Sequence, residues 1–507
     1  MTWFRDGTKV LASGRGMPGE RTGIWAVSAL TGVLTKLRED AWGAAASPDG
    51  SQIAFANGSR TELWLMGSNG EQPRKLRSGE PGDRFFTLAW SPDGRRIASL
   101  KRLALSGQGI IESFDLEGGR SRVLTSSSGF GGFCWAPDGR IIFSMVEPPP
   151  NQSENLWELR TDARTGAATG QPRRLTNLAG FSLAHLSLSA DGERLAFLRA
   201  RRQTDVWVGE LAEKGARLNA PRRLTLDDRT DWLGGWTRDS QAVLFSSNRS
   251  GNFDIFRQGL EERAAEVVAR SSEEGRWPAS SADGQWVLYL TRPYDQTQES
   301  PDSDRLMRVP VSGGPAEQVL KAGGFAGAFA SSVERDYTKR YPAFRCPSPP
   351  ATSCVLAEAD HKQVIFTAFD PIEGRKGELA RVEMNPFLQS YWDLSPDGKW
   401  VAVAAQEADA ARIRIVPLTG GPPREVSVPG WNYLGGVTWS ADGQSLYVTR
   451  WTSRGSRLWH LPLNGEPRLL YQKTNIFERP LASPDGRHLA FTELDFDSNA
   501  WIVDNFR

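Results

Sequence analysis

Cysteine is scarce in this sequence, with three residues among 507. Cys134 lies in the stretch GFCWAPDG, which has the pattern of a strand, and we expect it to be a small buried hydrophobe. Cys346 and Cys354 enclose a proline-rich loop, CPSPPATSC, that is short enough to be closed by a disulfide. Such a bond would indicate an oxidising compartment, and two reduced thiols near a loop remain the alternative.

Long hydrophobic runs and an excess of charge of one sign are also missing. No run approaches the roughly 18 apolar residues of a membrane span, and the start, MTWFRDGTKV, lacks the apolar core of a signal peptide. Lys and Arg number 61 against 60 Asp and Glu, a formal charge of +1, and both signs are interleaved. Because nucleic-acid binders usually carry a basic stripe, we expect no direct nucleic-acid partner and no membrane span in this chain.

Signatures of catalysis and of metal binding are absent from the sequence as well. It contains no G-x-S-x-G serine elbow, no G-x-x-x-x-G-K-[ST] phosphate loop and no kinase signature. The four histidines lack the paired spacing of a metal site; they are His185, His361, His460 and His488. His460 and His488 alternate with apolar residues and are expected to be surface or half-buried strand residues. We therefore predict no catalytic, cofactor-binding or metal-binding residues, and no cofactor.

Two pairs of adjacent carboxylates fall in predicted loops, Asp227-Asp228 and Glu273-Glu274. Two catalytic acids need a defined separation that adjacency does not provide. We expect these pairs to be solvated.

What the sequence does contain is a short phrase that recurs at regular intervals. Its clearest copy is TWSADGQSLYVTR at 438–450, an apolar strand end followed by a tight turn and an alternating strand. Aspartate can hydrogen-bond its own turn backbone, and glycine adopts the positive φ that a hairpin bend needs. The copies are Asp6-Gly7, Asp49-Gly50, Asp93-Gly94, Asp138-Gly139, Asp191-Gly192, Asp283-Gly284, Asp397-Gly398, Asp442-Gly443 and Asp485-Gly486, with Asp239-Ser240 as a variant. Because the aspartate recurs in every copy, we predict a structural turn role for this set.

The spacing of these turns predicts the fold class. Most neighbouring copies are about 43 to 48 residues apart, which is typical of a propeller blade. Each period contains four short strand-like segments and no convincing amphipathic helix, and many of the 19 tryptophans recur at fixed positions within it. The chain is therefore predicted to be all-β, a β-propeller of four-stranded blades. About eleven blades exceed the roughly four to eight of one ring, so two consecutive propellers are expected.

The domain boundaries are less sharply defined. We place the first propeller at 1–230 and the second at 231–507, with the boundary between 225 and 275. Whether the first propeller is complete at its N-terminus stays open at this point. The second includes an irregular insertion at 321–345, followed by three strand-like segments of a degenerate blade: SCVLAEAD, QVIFTAF and GELARVEM. Since the chain stops just after a third strand, we expect the last blade to lack its fourth strand and the chain to be truncated or to start late.

The repeated phrases resemble a known family. SPDG at Ser47, Ser91, Ser395 and Ser483, APDG at Ala136, and SADG at Ser189, Ser281 and Ser440 look like the TolB-type, WD-repeat-like propeller family. The loop SSNRSGNFDIF resembles that family's connection between second and third strands, and the resemblance covers essentially the whole chain.

A narrower resemblance concerns the C-terminal half. FRCPSPPATSCVLAEA, FTAFDPIEGRKGELARVE, YWDLSPDGKW and SNAWIVDNFR look like the C-terminal sensory halves of bacterial winged-helix regulators or serine/threonine kinases. The resemblance implies a periplasmic or otherwise extracytoplasmic sensor domain in signal transduction; a cytoplasmic location stays open.

Two functions from different classes follow. The first is a non-catalytic propeller that binds a protein, peptide or small-molecule ligand at its loops or channel mouth. The alternative is the propeller of a prolyl-oligopeptidase-like serine peptidase, whose hydrolase domain is absent from this sequence. We expect the first, and hence no enzymatic activity. The sequences encoded upstream and downstream would discriminate between the two.

Overall fold

The computed structural model describes residues 2–4, 7–14, 22–103, 108–116, 121–127, 129–147, 154–162, 164–178, 181–189, 191–270, 273–292, 304–323, 343–359, 363–383, 390–406, 411–427, 430–431, 434–452 and 454–506. These residues are mostly β-strand, and their one helical element is the short 3-10 turn Glu213–Gly215. In this part of the chain, no helix has the length and apolar character needed to cross a membrane. The chain divides into two compact units, Met1–Arg202 with Asp497–Arg507, and Gln203–Phe496.

The first unit contains four complete antiparallel sheets whose strands are paired in chain order. They are β1 (Thr2–Trp3), β2 (Lys9–Gly14), β3 (Gly23–Ser28) and β4 (Leu34–Glu39); β5 (Ala41–Ala46), β6 (Gln52–Asn57), β7 (Glu62–Gly67) and β8 (Arg74–Ser78); β9 (Arg84–Trp90), β10 (Arg96–Arg102), β11 (Gly109–Asp115) and β12 (Arg122–Ser127); β13 (Phe130–Trp135), β14 (Arg140–Val146), β15 (Glu154–Arg160) and β16 (Arg173–Arg174).

One further sheet contains strands that lie at the ends of both units. Its order is β17-β18-β42-β41, and β19 and β20 also pair with β18. The strands are β17 (Ser182–Leu188), β18 (Leu195–Ala212), β19 (Arg217–Leu218), β20 (Arg222–Arg223), β41 (Ile476–Ala482) and β42 (His488–Val503). The division between the units falls inside the two long strands, after Arg202 in β18 and after Phe496 in β42.

The second unit has five complete sheets of its own, again antiparallel and in chain order. They are β21 (Asp231–Trp236), β22 (Ala242–Ser247), β23 (Asp254–Gly259) and β24 (Glu266–Ala269); β25 (Glu274–Ser280), β26 (Trp286–Arg292), β27 (Asp304–Pro310) and β28 (Glu317–Ala322); β29 (Ala343–Arg345), β30 (Cys354–Ala359), β31 (Gln363–Asp370) and β32 (Gly374–Glu383); β33 (Ser390–Leu394), β34 (Trp400–Gln406), β35 (Ala411–Pro417) and β36 (Arg424–Ser427); β37 (Leu434–Trp439), β38 (Ser445–Thr452), β39 (Gly455–Pro462) and β40 (Arg468–Lys473).

The predicted fold class, an all-β propeller of four-stranded blades, is confirmed by this topology. We predicted one boundary between the propellers, at 225–275. The two compact units instead divide after Arg202, inside β18, and after Phe496, inside β42. Of the predicted insertion at 321–345, residues 321–322 end β28 and 343–345 form β29, and the remainder lies mostly outside the described residues. The segments after it form β30, β31 and β32.

The first strands of the second unit form a closed ring. β21 packs beside both β25 and β41, and β37 packs beside both β33 and β41. On the other side of the ring, Phe344 of β29 shares a core with Trp277 of β25, and Arg345 of β29 binds Asp393 of β33. The order around the ring is therefore β21, β25, β29, β33, β37 and β41.

Tryptophans at the ends of first strands connect neighbouring blades. The buried indole N–H of Trp90 donates to the carbonyl of Ala45, 3.0 Å away in the preceding blade. Trp439 makes the same bond to Asp393 at 3.3 Å. Trp236 makes it to Leu481 at 2.9 Å, which joins the first blade of the second unit to its last. A recurring tryptophan thus fills the space between sheets and satisfies its one polar atom there.

The Asp-Gly turns share one hydrogen-bond pattern. In the first SPDG copy, Ser47 Oγ donates to Asp49 Oδ1 at 2.6 Å, the Ser51 N–H donates to the same oxygen, and Gly50 has a φ of 76°. The Ser47 bond is the main reason why the pKa of Asp49 is lowered. The turns at Asp93, Asp191, Asp283, Asp397, Asp442 and Asp485 repeat the serine bond. Each of these carboxylates is engaged within its own turn.

The turn at Asp138 differs because Ala136 replaces the serine. Asp138 accepts from the Arg140 N–H at 3.1 Å and forms an ion pair with the Arg140 side chain. The other turn glycines also have positive φ; they are Gly94, Gly139, Gly192, Gly284, Gly398, Gly443 and Gly486. Glycine adopts this left-handed backbone without steric cost, which explains why it follows the aspartate in each of these turns.

Candidate functional site

The cysteines occupy two different environments. Cys346 and Cys354 are disulfide-bonded, with their Cα atoms 4.2 Å apart. The bond closes the loop between the end of β29 and the start of β30. Cys134 is a free, buried thiol, and burial raises its pKa to about 12. A thiol of that pKa stays protonated at neutral pH, so Cys134 packs as a hydrophobe.

The described histidines are His185, His460 and His488, and His361 falls outside the described residues. His185 is exposed on β17, and His488 is partly buried at the start of β42. His460 is only 7% exposed, and its Nε2 lies 2.8 Å from Ser445 Oγ. Burial, aided by the charge of Arg468, lowers the pKa of His460. The expectation of a surface or half-buried position was wrong for His460.

The sequence predicted that the adjacent carboxylates are solvated, but three of the four form ion pairs. Asp227 is paired with Arg249 at 2.8 Å, and Glu274 is paired with Arg276 at 3.1 Å. Glu273 is paired with Arg305. Within the described residues, no group of three or more His, Cys, Asp and Glu side chains is arranged to hold a metal ion.

A strained backbone position recurs on four first strands. Gly43, His185, Trp277 and Arg479 each lie four residues before the turn serine, at Ser47, Ser189, Ser281 and Ser483. Their φ angles are 61°, 55°, 57° and 56°. At each position the register with the second strand shifts, which is the signature of a β-bulge. Left-handed backbone is rare for large residues and costs about 1–2 kcal/mol per residue.

In the second unit, two of these strained residues meet in the middle of the ring. The Arg479 guanidinium carbon lies 3.6 Å from the centroid of the Trp277 ring. Arg479 belongs to β41 and Trp277 to β25, and β21 lies between those strands in the ring. The side chains therefore reach across the inner face of β21. A guanidinium stacked on an indole is a favourable cation–π contact, worth about 2 kcal/mol where water is excluded.

The opposite side of the ring contributes a hydrogen-bonded carboxylate. Asp393 Oδ1 accepts from Arg345 Nε at 3.0 Å, and its Oδ2 accepts from Thr438 Oγ1 at 2.6 Å and from the Trp439 N–H at 2.9 Å. These bonds tie β29, β33 and β37 together. We call Trp277, Arg345, Tyr391, Asp393 and Arg479 the central cluster.

Aromatic side chains extend the cluster on the β25 side. Arg276, next to Trp277, lies with its guanidinium carbon 3.5 Å from the centroid of Phe253 and is paired with Glu274. Phe253 packs with Trp232 of β21 in a small apolar group that Trp277 joins at its edge. The cluster thus combines cationic groups with a flat apolar wall.

Burial shifts the titration of two members of the cluster. Arg479 is 8% exposed, and burial, reinforced by the positive charge of Arg345, lowers its pKa well below the usual value. Burial also raises the pKa of Tyr391 well above its usual value. Perturbed groups of this kind are more frequent at functional sites than elsewhere, although structural ion pairs produce them too.

A second set of buried charges lies where β18 enters the second unit. Asp205 is paired with Arg223 at 2.8 Å, and Asp231 with Arg249 at 3.1 Å. Burial raises the pKa of Asp205 to about 7, and it raises the pKa of Asp231 as well. These pairs join neighbouring strands, and the guanidinium carbon of Arg249 lies 5.1 Å and 4.7 Å from the ring centroids of Phe245 and Phe256.

Sequence reasoning did not find the central cluster. Its residues belong to four different blades and lie far apart along the chain. One signal was available: the position four residues before the turn serine is Gly43 in one copy but Trp277 and Arg479 in others. A large residue where another copy has glycine could have indicated a functional position.

Comparison with known proteins gives limited guidance. No protein-family profile matches the chain. The uncharacterised protein Atu1656 of Agrobacterium fabrum is 24% identical over 266 residues, which is 51% of this chain and 84% of that protein.

Several solved structures are similar in part. One is an oligogalacturonate lyase in complex with manganese, with 16% identity, 76% of this chain and 88% of that chain covered, and a TM-score of 0.31. TolB from Acinetobacter baumannii has 16% identity, coverage of 74% and 80%, and a TM-score of 0.23. A nidogen–laminin complex has 11% identity, coverage of 53% and 96%, and a TM-score of 0.37. At such scores the propeller assignment rests on the sheet topology of this chain.

Proposed function

We propose that this chain is a non-catalytic binding module, a ligand- or protein-binding β-propeller whose second unit takes its ligand at the central cluster. The observation that carries the proposal is the meeting of Trp277 and Arg479 in the middle of the ring, each in a left-handed bulge. Backbone strain of this kind persists where the surrounding structure enforces it, and it concentrates at binding and catalytic sites. The rigid blades hold these side chains ready for a ligand.

The proposal extends to the place of the module in the cell. We propose that it is the extracytoplasmic sensory or scaffold part of a bacterial signalling protein. The Cys346–Cys354 disulfide supports an oxidising compartment, and the phrases FRCPSPPATSCVLAEA and SNAWIVDNFR support the signalling context by resemblance.

Binding is tested by screening the purified chain against amino acids, short peptides and oligosaccharides by titration calorimetry. A ligand should appear whose affinity falls at least tenfold in Trp277→Asn, because asparagine tolerates the left-handed backbone but lacks the indole. The matched control is Trp400→Asn, which removes a partly exposed tryptophan from β34 of the same unit. Ligands that bind both variants as well as the wild type would contradict a site at the cluster.

The non-catalytic part of the proposal has its own test. The same peptides and oligosaccharides are incubated with the chain and the products are followed by mass spectrometry. We expect no turnover. Hydrolysis that is lost on a single substitution would overturn this part.

The compartment is tested by non-reducing peptide mapping of protein exported to the periplasm. The linked peptide pair containing Cys346 and Cys354 is expected. Two free thiols there would remove the structural support for an extracytoplasmic location.

A further inference from the structure

The long strands β18 and β42 take part in two blades. In the second unit the strand order is β41, β42, β18 and β20, which completes a blade of four. There, β41 pairs with residues 489–494 of β42. In the first unit, β17 and β18 are followed by residues 497–503 of β42 as the third strand. Within the described residues no strand pairs with the other side of 497–503, which we call the open edge.

The open edge is exposed on both of its faces, unlike the other third strands of the first unit. Ile502 is 64% exposed, and Trp501 and Val503 are exposed as well. Leu65, which follows Trp64 of β7 as Ile502 follows Trp501, is only 2% exposed. A strand edge left bare in this way presents unpaired backbone groups that can accept a further strand.

Two other blades show how a tryptophan strand of this kind is covered. Each has a Pro-Arg-Arg-Leu-Thr segment as its fourth strand, at 172–176 and at 221–225. In the first, the Leu175 N–H donates to the Leu156 carbonyl at 2.8 Å. The Leu156 N–H in turn donates to Thr176 Oγ1 at 2.9 Å.

The second blade repeats these two bonds. The Leu224 N–H donates to the Val206 carbonyl at 2.8 Å, and the Val206 N–H donates to Thr225 Oγ1 at 3.1 Å. In both blades the residue directly before the third-strand tryptophan turns its N–H and its carbonyl to the fourth strand. At the open edge that residue is Ala500.

A shared asparagine makes the match with β15 closer. The motif Asn-x-Trp occurs at 155–157 in β15 and at 499–501 in the open edge. Asn155 Oδ1 accepts from the Leu178 N–H at 2.7 Å and from Thr176 Oγ1 at 3.0 Å, so it holds the segment that follows β16. Asn499 is exposed, and its amide nitrogen donates to Asp497 at 2.9 Å. Its Oδ1 can accept from an incoming strand in the same way.

The charge of the open edge indicates which strand it binds. Residues 495–505 contain three carboxylates and no basic side chain; the carboxylates are Asp495, Asp497 and Asp504, the last paired with Arg194 at 3.1 Å. In the two covered blades, arginines of the fourth strand bind third-strand carboxylates. Arg173 pairs with Glu158 at 2.7 Å, and Arg223 pairs with Asp205 at 2.8 Å. An acidic edge therefore favours a basic strand.

We propose that the open edge binds an extended basic segment of a partner protein, of the Pro-Arg-Arg-Leu-Thr type, as an added antiparallel strand. The leucine and threonine of the segment bond the backbone of Ala500. Its two arginines lie opposite Trp501 and Ile502, in the register that joins β15 to β16. The two segments of this type in the chain itself, 172–176 and 221–225, are already bound in their own blades. This surface belongs to the first unit and does not depend on the ligand site proposed in the second.

The test uses the synthetic peptide QPRRLTNL, which has the sequence of residues 171–178, and its charge-reversed form QPEELTNL. Hydrogen–deuterium exchange of the whole chain is followed by mass spectrometry with and without each peptide. Exchange within 497–503 should slow at least tenfold with saturating QPRRLTNL, because the edge amides become hydrogen-bonded. QPEELTNL should bind at least tenfold more weakly at low salt, and added salt should reduce this difference.

Two variants locate the contact. Ala500→Pro removes the N–H that faces the incoming strand and should abolish the protection. Asn499→Ala removes one side-chain acceptor from an exposed residue and should weaken QPRRLTNL binding several-fold. The control is Asn464→Ala, at an exposed asparagine between β39 and β40, which should bind like the wild type. Thermal unfolding of each variant, followed by circular dichroism, shows whether it is folded.

The outcomes decide between this partner and other occupants. Protection of 497–503 by QPRRLTNL that is weakened in Asn499→Ala supports the proposal. Equal binding of the two peptides, or protection confined to other segments, would overturn it. Slow exchange of 497–503 without peptide would also overturn it; sedimentation then shows whether a second copy of the chain covers the edge. None of these results bears on the ligand site of the second unit, so the two proposals fail separately.

Discussion

Inner strands of the two units contain the same bulge but different residues at it. In the first unit the bulge residues are Gly43, which has no side chain, and His185, which is exposed. In the second they are Trp277 and Arg479, which meet in the middle of the ring. The backbone geometry is therefore a property of the blade, and the side chain at the bulge distinguishes one unit from the other. This difference is the basis of the proposal that the second unit uses its bulges to build a site.

The largest predicted effect tests the hydrogen-bonded side of that site. Asp393→Ala should lower the free energy of unfolding by about 3–5 kcal/mol, because it leaves the largely buried Arg345 without its carboxylate. Urea denaturation gives the value. Thr438→Val removes one hydrogen bond to the same carboxylate and should cost only about 1 kcal/mol. Similar losses for the two variants would mean that the ion pair contributes little.

The next prediction concerns the bulge in the first unit. A Cβ atom added at Gly43 would lie 2.6 Å from the Phe86 carbonyl oxygen, so Gly43→Ala combines a clash with left-handed strain and should destabilise the chain by about 2–4 kcal/mol. In Gly94→Ala, φ is 71° but the nearest atom is 3.7 Å away. The control should lose only about 1–2 kcal/mol in the same denaturation experiment. Equal losses would show that the clash at Gly43 adds nothing to the cost of the left-handed backbone.

A third prediction uses pH. The folded pKa of Asp205 is about 7 against an ordinary 3.8, so the folded chain retains a proton that the unfolded chain releases between these values. Stability should fall as pH rises from about 4 to 7, by up to about 1.4 kcal/mol per pH unit, and then level off. Asp205→Asn should flatten this slope in urea titrations at a series of pH values.

For the turn aspartates, stability is expected to change with pH in the opposite direction. The pKa of Asp49 is lowered, chiefly by the Ser47 hydroxyl, so its contribution is present above pH 3.8 and is lost as pH falls through the folded pKa. Asp49→Asn should therefore lower stability by a constant amount above about pH 4, have no effect in strong acid, and leave the slope between pH 4 and 7 as it is. A slope unchanged in Asp205→Asn would assign the pH dependence to other groups.

The smallest predicted effect concerns His185. His185→Gly should stabilise the chain by up to about 1 kcal/mol, since relief of left-handed strain exceeds the entropic cost of glycine. His488→Gly, at a position without positive φ, should instead destabilise it by about 0.5–1 kcal/mol. Thermal unfolding of both variants measures the difference in sign. Destabilisation by His185→Gly would show that this histidine makes contacts worth more than the strain.

The sequence by itself determined the blades. The Asp-Gly turns are specified by hydrogen bonds between residues two to five positions apart, such as those of Ser47, Asp49 and Gln52. Such local chemistry is visible in a single phrase. Its repetition is enough to predict four-stranded blades and their number to within a few.

Only the tertiary structure decided how the blades are grouped and which side chains meet. The end of β42 belongs to the first unit because its partners lie in β18, nearly 300 residues earlier. Trp277 and Arg479 come together because the ring closes through Trp236 and Leu481. No local pattern records a contact made by ring closure, and so the central cluster became visible only in the folded chain.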